Sequence, residues 1–209
     1  MIKTIEDLVN SDMHSKFALW LSGGADSAML LFLLLESLER NKVHKSILPL
    51  HGWDTARTVA VSYDASDRIV KLLQNKFPKI QLKEQYVLPY HKTEKSKNKY
   101  HDPLNQYLLK AKKADCIFDC STLNPPHLIL GEDRTNKEPD TYHNTKRIYK
   151  PLRHVDKKVI AELYHKYDLM NDLFPLTVSC IGDDIKPCKR CAWCEEKYWA
   201  FGYYDGKEK

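Results

Sequence analysis

The chain has 209 residues, enough for one domain with a small appendage, and its 43% hydrophobic and 29% charged residues are those of an ordinary soluble globular protein. A formal charge of +5 favours an anionic ligand but falls short of the basic bias of a dedicated nucleic-acid binder. The apolar run Ala28 to Leu35 stops at Glu36, too short to span a bilayer, and Met1 to Asp7 lacks a signal-peptide layout, so a cytoplasmic protein is expected.

In chain order, residues 1 to 15 read as a short polar helix capped by Thr4. Phe17 to Leu21 is a short apolar run that suits a buried strand, and Ala28 to Arg40 has helical length. Between them lies Ser22-Gly23-Gly24-Ala25-Asp26-Ser27. Two glycines open backbone conformations closed to other residues, and the unpaired N–H groups at a helix start attract anions, phosphate foremost. A Gly-Gly turn also reads simply as a tight connection, and neither the Walker pattern nor the dinucleotide fingerprint is present. Lys45 to Leu50 reads as a second strand, with His51-Gly-Trp53-Asp54 at its carboxyl end, where parallel sheets bind ligands or merely turn. Asp64 to Phe77 has helical spacing, and Ile80 to Val87 alternates as a third strand. Much of the positive charge falls between His91 and Lys113, as a solvated loop and polar helix face or as a lid over a ligand.

Leu104 to Lys113 reads as a helix, and Ala114 to Cys120 as a strand or the end of a buried helix, with Cys116 and Cys120 as small buried hydrophobes. Pro125 and Pro126 force an extended chain that exposes Asn124. His127 to Leu130 is the next strand, closed by Gly131, and the polar stretch Thr135 to Lys146 is a long loop. Ile148 to Leu152 ends a strand, and Asp156 caps a helix from Lys157 to Tyr167. Repeated strand-then-helix units imply a doubly wound parallel α/β sheet with helices on both faces.

Four of the six cysteines, Cys180, Cys188, Cys191 and Cys194, fall within fifteen positions, three of them at Cys-x-x-Cys spacing. Four thiolates without an open position describe a closed tetrahedral zinc centre of structural rather than catalytic use. An iron–sulfur cluster takes the same ligand number, and a redox pair would leave two cysteines unexplained. Such a centre would tie the aromatic tail Tyr198 to Tyr204 back onto the sheet.

The loop Ser22 to Ser27, placed after a strand, resembles the pyrophosphate loop of the N-type ATP pyrophosphatases, which split ATP between its α and β phosphates and adenylate a substrate oxygen. With the cysteine tail, the chain resembles 7-cyano-7-deazaguanine synthase over nearly its full length. The Thr and Ser before that family's first tail cysteine are matched by Thr177 and Ser179, its Pro-Leu and following Lys by Pro151, Leu152 and Lys157, and its strand-ending Gly and preceding Asn by Gly131 and Asn124. His51-Gly-Trp-Asp-Thr55 stands where the family has Tyr-Gly-Gln-Arg-His, and its Tyr-Pro-Asp-Cys-Arg is absent from residues 131–147.

The resemblance implies an adenine nucleotide alpha hydrolase-like, Rossmann-like domain over 1–174 with a zinc-binding segment over 175–209, using ATP, Mg2+ and Zn2+. It implies a ligase that adenylates 7-carboxy-7-deazaguanine and converts it with ammonia to the amide and then the nitrile. Ser22, Gly23, Gly24, Ala25, Ser27 and Gly131 would hold the nucleotide, Asp26 would orient the loop or hold magnesium, and Lys157 would offset charge. His51, Trp53 and Asn124 would border the substrate, and dimerisation is a family expectation. Rivals are an ATP pyrophosphatase acting on another carboxylate, amide or nucleobase, including nucleoside-modifying or protein-conjugating relatives, and a zinc-stabilised nucleotide-binding module without turnover.

Overall fold

A computed structural model of the protein describes residues 2–55, 61–90, 97–127, 147–182 and 186–207. Its helices are α1 (Ile2–Asn10), α2 (Ala25–Arg40), α3 (Val61–Lys76), α4 (Lys97–Lys110), α5 (Lys157–Lys166) and α6 (Ala192–Phe201). The strands are β1 (Lys16–Trp20), β2 (Ser46–Asp54), β3 (Gln81–Leu82), β4 (Tyr86–Tyr90), β5 (Cys116–Phe118) and β6 (Ile148–Tyr149). They form one sheet in the order β3-β2-β1-β5-β6, with β4 also on β2, and every pairing is parallel. Parallel neighbours need long crossovers, which α2, α3 and α4 supply.

Period-2 alternation divides β1 between two cores. Phe17 and Leu19 face the larger one, with α1, α2, α3, α5 and the tail residue Phe201, whereas Ala18 and Trp20 face a smaller one with Leu104 and Leu108 of α4. The expected doubly wound α/β sheet is thus present. Helix α2 is buried on nearly all sides from Ala25 to Leu35, as befits a helix that is apolar all round.

Several boundaries differ from those expected. Thr4 lies inside α1 rather than at its cap, and the helix is amphipathic, with Ile5, Leu8 and Val9 in the core. Strand β2 runs on through His51 to Asp54 because Leu50–Asp54 pair with Tyr86–Tyr90, so this segment is strand rather than a loop past its end. The single third strand is two short ones, interrupted at 83–85. Helix α4 starts at Lys97, through Pro103, and Lys112 at φ 53 lies in the left-handed turn that follows it. Strand β6 stops at Tyr149, while Asp156 caps α5 as expected, accepting from the N–H groups of Lys158 and Val159. Leu128 to Leu130, Gly131, the Thr135 to Lys146 loop and the basic residues 91–96 lie outside the described residues. No helix among the described residues is long and apolar enough to cross a membrane.

Leu34 has no exposed surface in the middle of α2. Leu34→Ala should therefore cost about 2–5 kcal/mol of unfolding free energy, read from the urea midpoint at constant slope.

Candidate functional site

The order of the strands reverses direction between β1 and β5, and in open parallel sheets the crevice beyond the carboxyl ends at such a point receives ligands. The loop from Ser22 to Ser27 sits there, leading from β1 into α2. Only its first glycine is forced. Gly23 has φ +84, and a Cβ on it would stand 2.6 Å from the carbonyl oxygen of Ser62 at the start of α3. Gly24, the N-cap, has an ordinary φ of −81, and its nearest obstacle is the Ser22 hydroxyl at 3.4 Å. The two serines brace the turn: Ser22 Oγ and Ser27 Oγ are 3.1 Å apart, Gly24 N–H donates to Ser22 Oγ, and Ser27 Oγ donates to Gly24 O. The N–H groups that begin α2 have no carbonyl of their own helix to bond, which makes this end a place for an anion.

Charged side chains converge beside the loop. Lys157, 4% exposed, places its ammonium 3.3 Å from Asp26 Oδ2 and 2.7 Å from Glu196 Oε2, and Glu196 is completely buried. Thr122, just past β5, reaches Asp26 at 3.5 Å. Next along α6, the buried Lys197 ammonium donates to Thr177 O, Thr177 Oγ1 and Asp205 Oδ1 at 2.9, 2.8 and 2.6 Å. Burial pushes the Lys197 pKa down, and Asp205 opposes the shift. Asp205 also accepts from the N–H groups of Ser179 and Cys180, while Val178 N–H donates to Gly23 O at 2.9 Å. Residues 177–180 therefore form a strap held to the glycine loop on one side and to α6 and Asp205 on the other.

Of the residues expected here from sequence, the loop, Asp26 and Lys157 are brought together. Glu196, Lys197, Asp205 and Thr122 were not anticipated. A usable signal existed for two of them, since the charged triplet Glu195-Glu196-Lys197 stands between Trp193 and the aromatic pair Tyr198-Trp199. Asn124 is half-buried rather than exposed, in the irregular segment that follows β5, next to Leu123, whose N–H donates to Val155 O. Trp53 is 38% exposed near the end of β2. His51 lies inside, with Nδ1 2.8 Å from Leu21 O. A carbonyl only accepts, so Nδ1 carries the proton and Nε2 is a bare acceptor, buried without a hydrogen-bond partner among the described residues. Cys116 belongs to the core as expected, whereas Cys120 is only half-buried at its edge, where its thiol donates to Trp20 O; burial pushes both thiols up, Cys116 to about 12.

The other four cysteines converge. Their sulfurs all lie within 4.8 Å of one another, with Cys188 and Cys194 at 3.9 Å. A tetrahedral ion with Zn–S bonds near 2.3 Å would separate its sulfurs by about 3.8 Å, so the set fits such an ion with small adjustments. Backbone N–H groups of Gly182 and Cys188 donate to Cys180 Sγ, the kind of support a thiolate needs. Cys188 is drawn down to about 6, chiefly by the Arg190 N–H, whereas burial raises Cys180 and Cys194. None of the six cysteines is in a disulfide. Cys191 caps α6 and Cys194 lies in its first turn, which aims both sulfurs at the centre.

Residues 1–137 match the family model described as NAD synthase, and the chain belongs to that family, within the N-type ATP pyrophosphatase superfamily expected from the loop. No curated protein matches the sequence. Among solved structures, NMN synthetase from Francisella tularensis aligns at 14% identity and TM-score 0.52 over 96% of this chain and 84% of its own. The NH3-dependent NAD synthetase of Campylobacter jejuni aligns at 16% and 0.49 over 82% and 72%. The U34-tRNA thiolase NcsA of Methanococcus maripaludis, with its [4Fe-4S] cluster, aligns at 16% and 0.49 over 80% of this chain, which spans 63% of the thiolase. At these identities the likeness is one of fold.

Two outcomes follow from the geometry. Gly23→Ala should lose about 2 kcal/mol or more by thermal or urea unfolding, because it adds left-handed strain to a backbone clash, and Gly24→Ala should lose less than about 1 kcal/mol. His51 titrates below its ordinary 6.5 because burial disfavours its charge. The unfolded chain therefore binds a proton first as pH falls, so His51 takes stability away from pH 6.5 downward until its folded pKa is passed. One such proton is worth up to about 1.4 kcal/mol per pH unit. His51→Asn, which keeps a donor for Leu21 O, should flatten the loss of stability between pH 7 and 5; an unchanged slope would exclude His51 as its source.

Proposed function

We propose that the protein is an ATP-dependent ligase that adenylates a carboxylate and passes the acyl group to ammonia, with 7-carboxy-7-deazaguanine as the carboxylate. The observation that carries the ATP half is the glycine loop at the reversal between β1 and β5, with Lys157 and Asp26 beside it. Support for the deazapurine comes from the four-cysteine tail, introduced by Thr177 and Ser179, which lies beyond the residues that match the NAD synthase family.

In this reading the N–H groups at the start of α2, with the Ser22 and Ser27 hydroxyls, receive the departing pyrophosphate. Lys157 offsets its charge, and Asp26 would orient the loop or hold magnesium. The substrate carboxylate oxygen attacks the α phosphorus, the bond to the β phosphate oxygen breaks, and pyrophosphate leaves. The lone pair of ammonia adds to the acyl carbon, AMP departs, and a proton passes to water, leaving the primary amide. The amide oxygen then attacks the α phosphorus of a second ATP with release of a second pyrophosphate, and loss of AMP and two protons gives the nitrile. The protein's part is alignment and charge, with little acid–base work. The bare Nε2 of His51 offers an acceptor to an amino group of the nucleotide base or substrate. Cys180, Cys188, Cys191 and Cys194 would hold zinc, which supplies rigidity to the strap and α6 rather than chemistry.

A second reading, amidation of the carboxylate precursor of NAD, is favoured by the family match over residues 1–137. Zinc-loaded protein incubated with ATP, Mg2+, ammonia and each carboxylate separately distinguishes them. The amide or nitrile of the deazapurine, formed with AMP, is the expected product by mass; NAD alone would favour the second reading, and no AMP with either would overturn the ligase. Asp26→Ala and Ser27→Ala should each abolish pyrophosphate release while the fold survives, and full activity in both would remove the site assignment. Cys191→Ser should yield metal-poor protein with a lowered melting temperature; unchanged zinc content would refute the metal role.

A further inference from the structure

The chemistry above has no use for Glu196, yet this carboxylate is completely buried and lies closer to the Lys157 ammonium than Asp26 does, 2.7 Å against 3.3 Å. A charge taken wholly out of water persists only when paired, and a pair so placed fixes the geometry of both members. We propose that Glu196 is a positioning residue that holds Lys157 at the phosphate loop, and that the four-cysteine centre positions Glu196, so that occupancy of the centre is felt at the loop. The catalytic consequence rests on the ATP reading; the mechanical link does not.

The link is short at both ends of the cysteine cluster. Glu196 follows Cys194 by two residues in the first turns of α6, whose N-cap is Cys191. At the other end, Val178 bonds Gly23 O two residues before Cys180, and Asp205 holds the Cys180 N–H while pairing with Lys197, the neighbour of Glu196. Ligation that draws Cys180 and Cys194 together thus fixes both the strap against Gly23 and the carboxylate behind Lys157. A Glu196 that served only to neutralise a buried lysine would affect stability without reaching the loop.

The test uses the full zinc-loaded chain and Glu196→Gln, which keeps size and an acceptor but removes the charge. Hydrogen exchange of peptides covering 22–30 and 186–201 is measured with zinc content, and magnesium pyrophosphate binding is measured by calorimetry. Exchange in 22–30 should quicken about tenfold or more while zinc content and protection of 186–201 hold, and chelation of the unaltered protein should quicken 22–30 as well. Pyrophosphate affinity should fall about tenfold, and adding Glu196→Gln to Lys157→Met should cost nothing further, because one residue acts through the other. Unchanged exchange of 22–30, both in Glu196→Gln and after chelation, overturns the proposal, as does a strictly additive loss. If the unaltered protein binds no pyrophosphate while the exchange link persists, the positioning role stands and the ATP reading falls. Should Glu196→Gln lose zinc, Glu196→Asp, which keeps the charge and withdraws it, is read in the same way.

Discussion

Two lysine ammonium groups, Lys157 and Lys197, are held almost wholly out of water, and the carboxyl-edge half of the structure is arranged to make that tolerable. Each needs an opposite charge within hydrogen-bonding reach, and removing a partner from such a pair costs about 3–5 kcal/mol. Asp26 and Glu196 serve Lys157, and Asp205 serves Lys197. These residues come from the starts of α2 and α5, from α6 and from the turn after it, so satisfying the charges joins elements that the sheet alone would leave apart.

The same arrangement gives the glycine loop its rigidity. Below it, Tyr164 of α5 donates to Ala25 O from a fully buried position. Beside it, α3 approaches so closely that no side chain fits on Gly23, and the strap from 177 to 180 bonds its carbonyl. Fixed dipoles at a helix start act on a nearby charge without the cost of reorganisation only where the backbone that carries them keeps its shape. Packing, strap and paired charges all act on the same six residues.

Much of this was legible in the sequence where a local rule governs. The strand–glycine–helix pattern around Ser22 to Ser27, the Asp156 cap and the cysteine spacing each rest on residues near one another in the chain. What was not legible depended on partners far away. His51 to Asp54 reads as a loop until β4 is seen to extend the ladder, and the polar start of α4 gives no helical period. Ile80 to Val87 alternates correctly, yet its pairing with β2 breaks at 83–85. Glu196, Lys197 and Asp205 look like surface charges by type, and only the assembled tail puts them inside.

Asp26 and Glu196, which flank a single ammonium group, stand near opposite ends of the described chain, with Lys157 between them in sequence. During synthesis the amino-terminal strands and helices can collapse as they emerge, since β1, α2 and β2 are consecutive. At that stage the glycine loop has neither its lysine nor its strap. Lys157 arrives later still without its second carboxylate, and the loop reaches its final state only when α6 and the turn at Asp205 have folded back. A nascent chain thus acquires its shape well before its charge balance, so the unfinished protein is a scaffold whose glycine loop still lacks its charged partners.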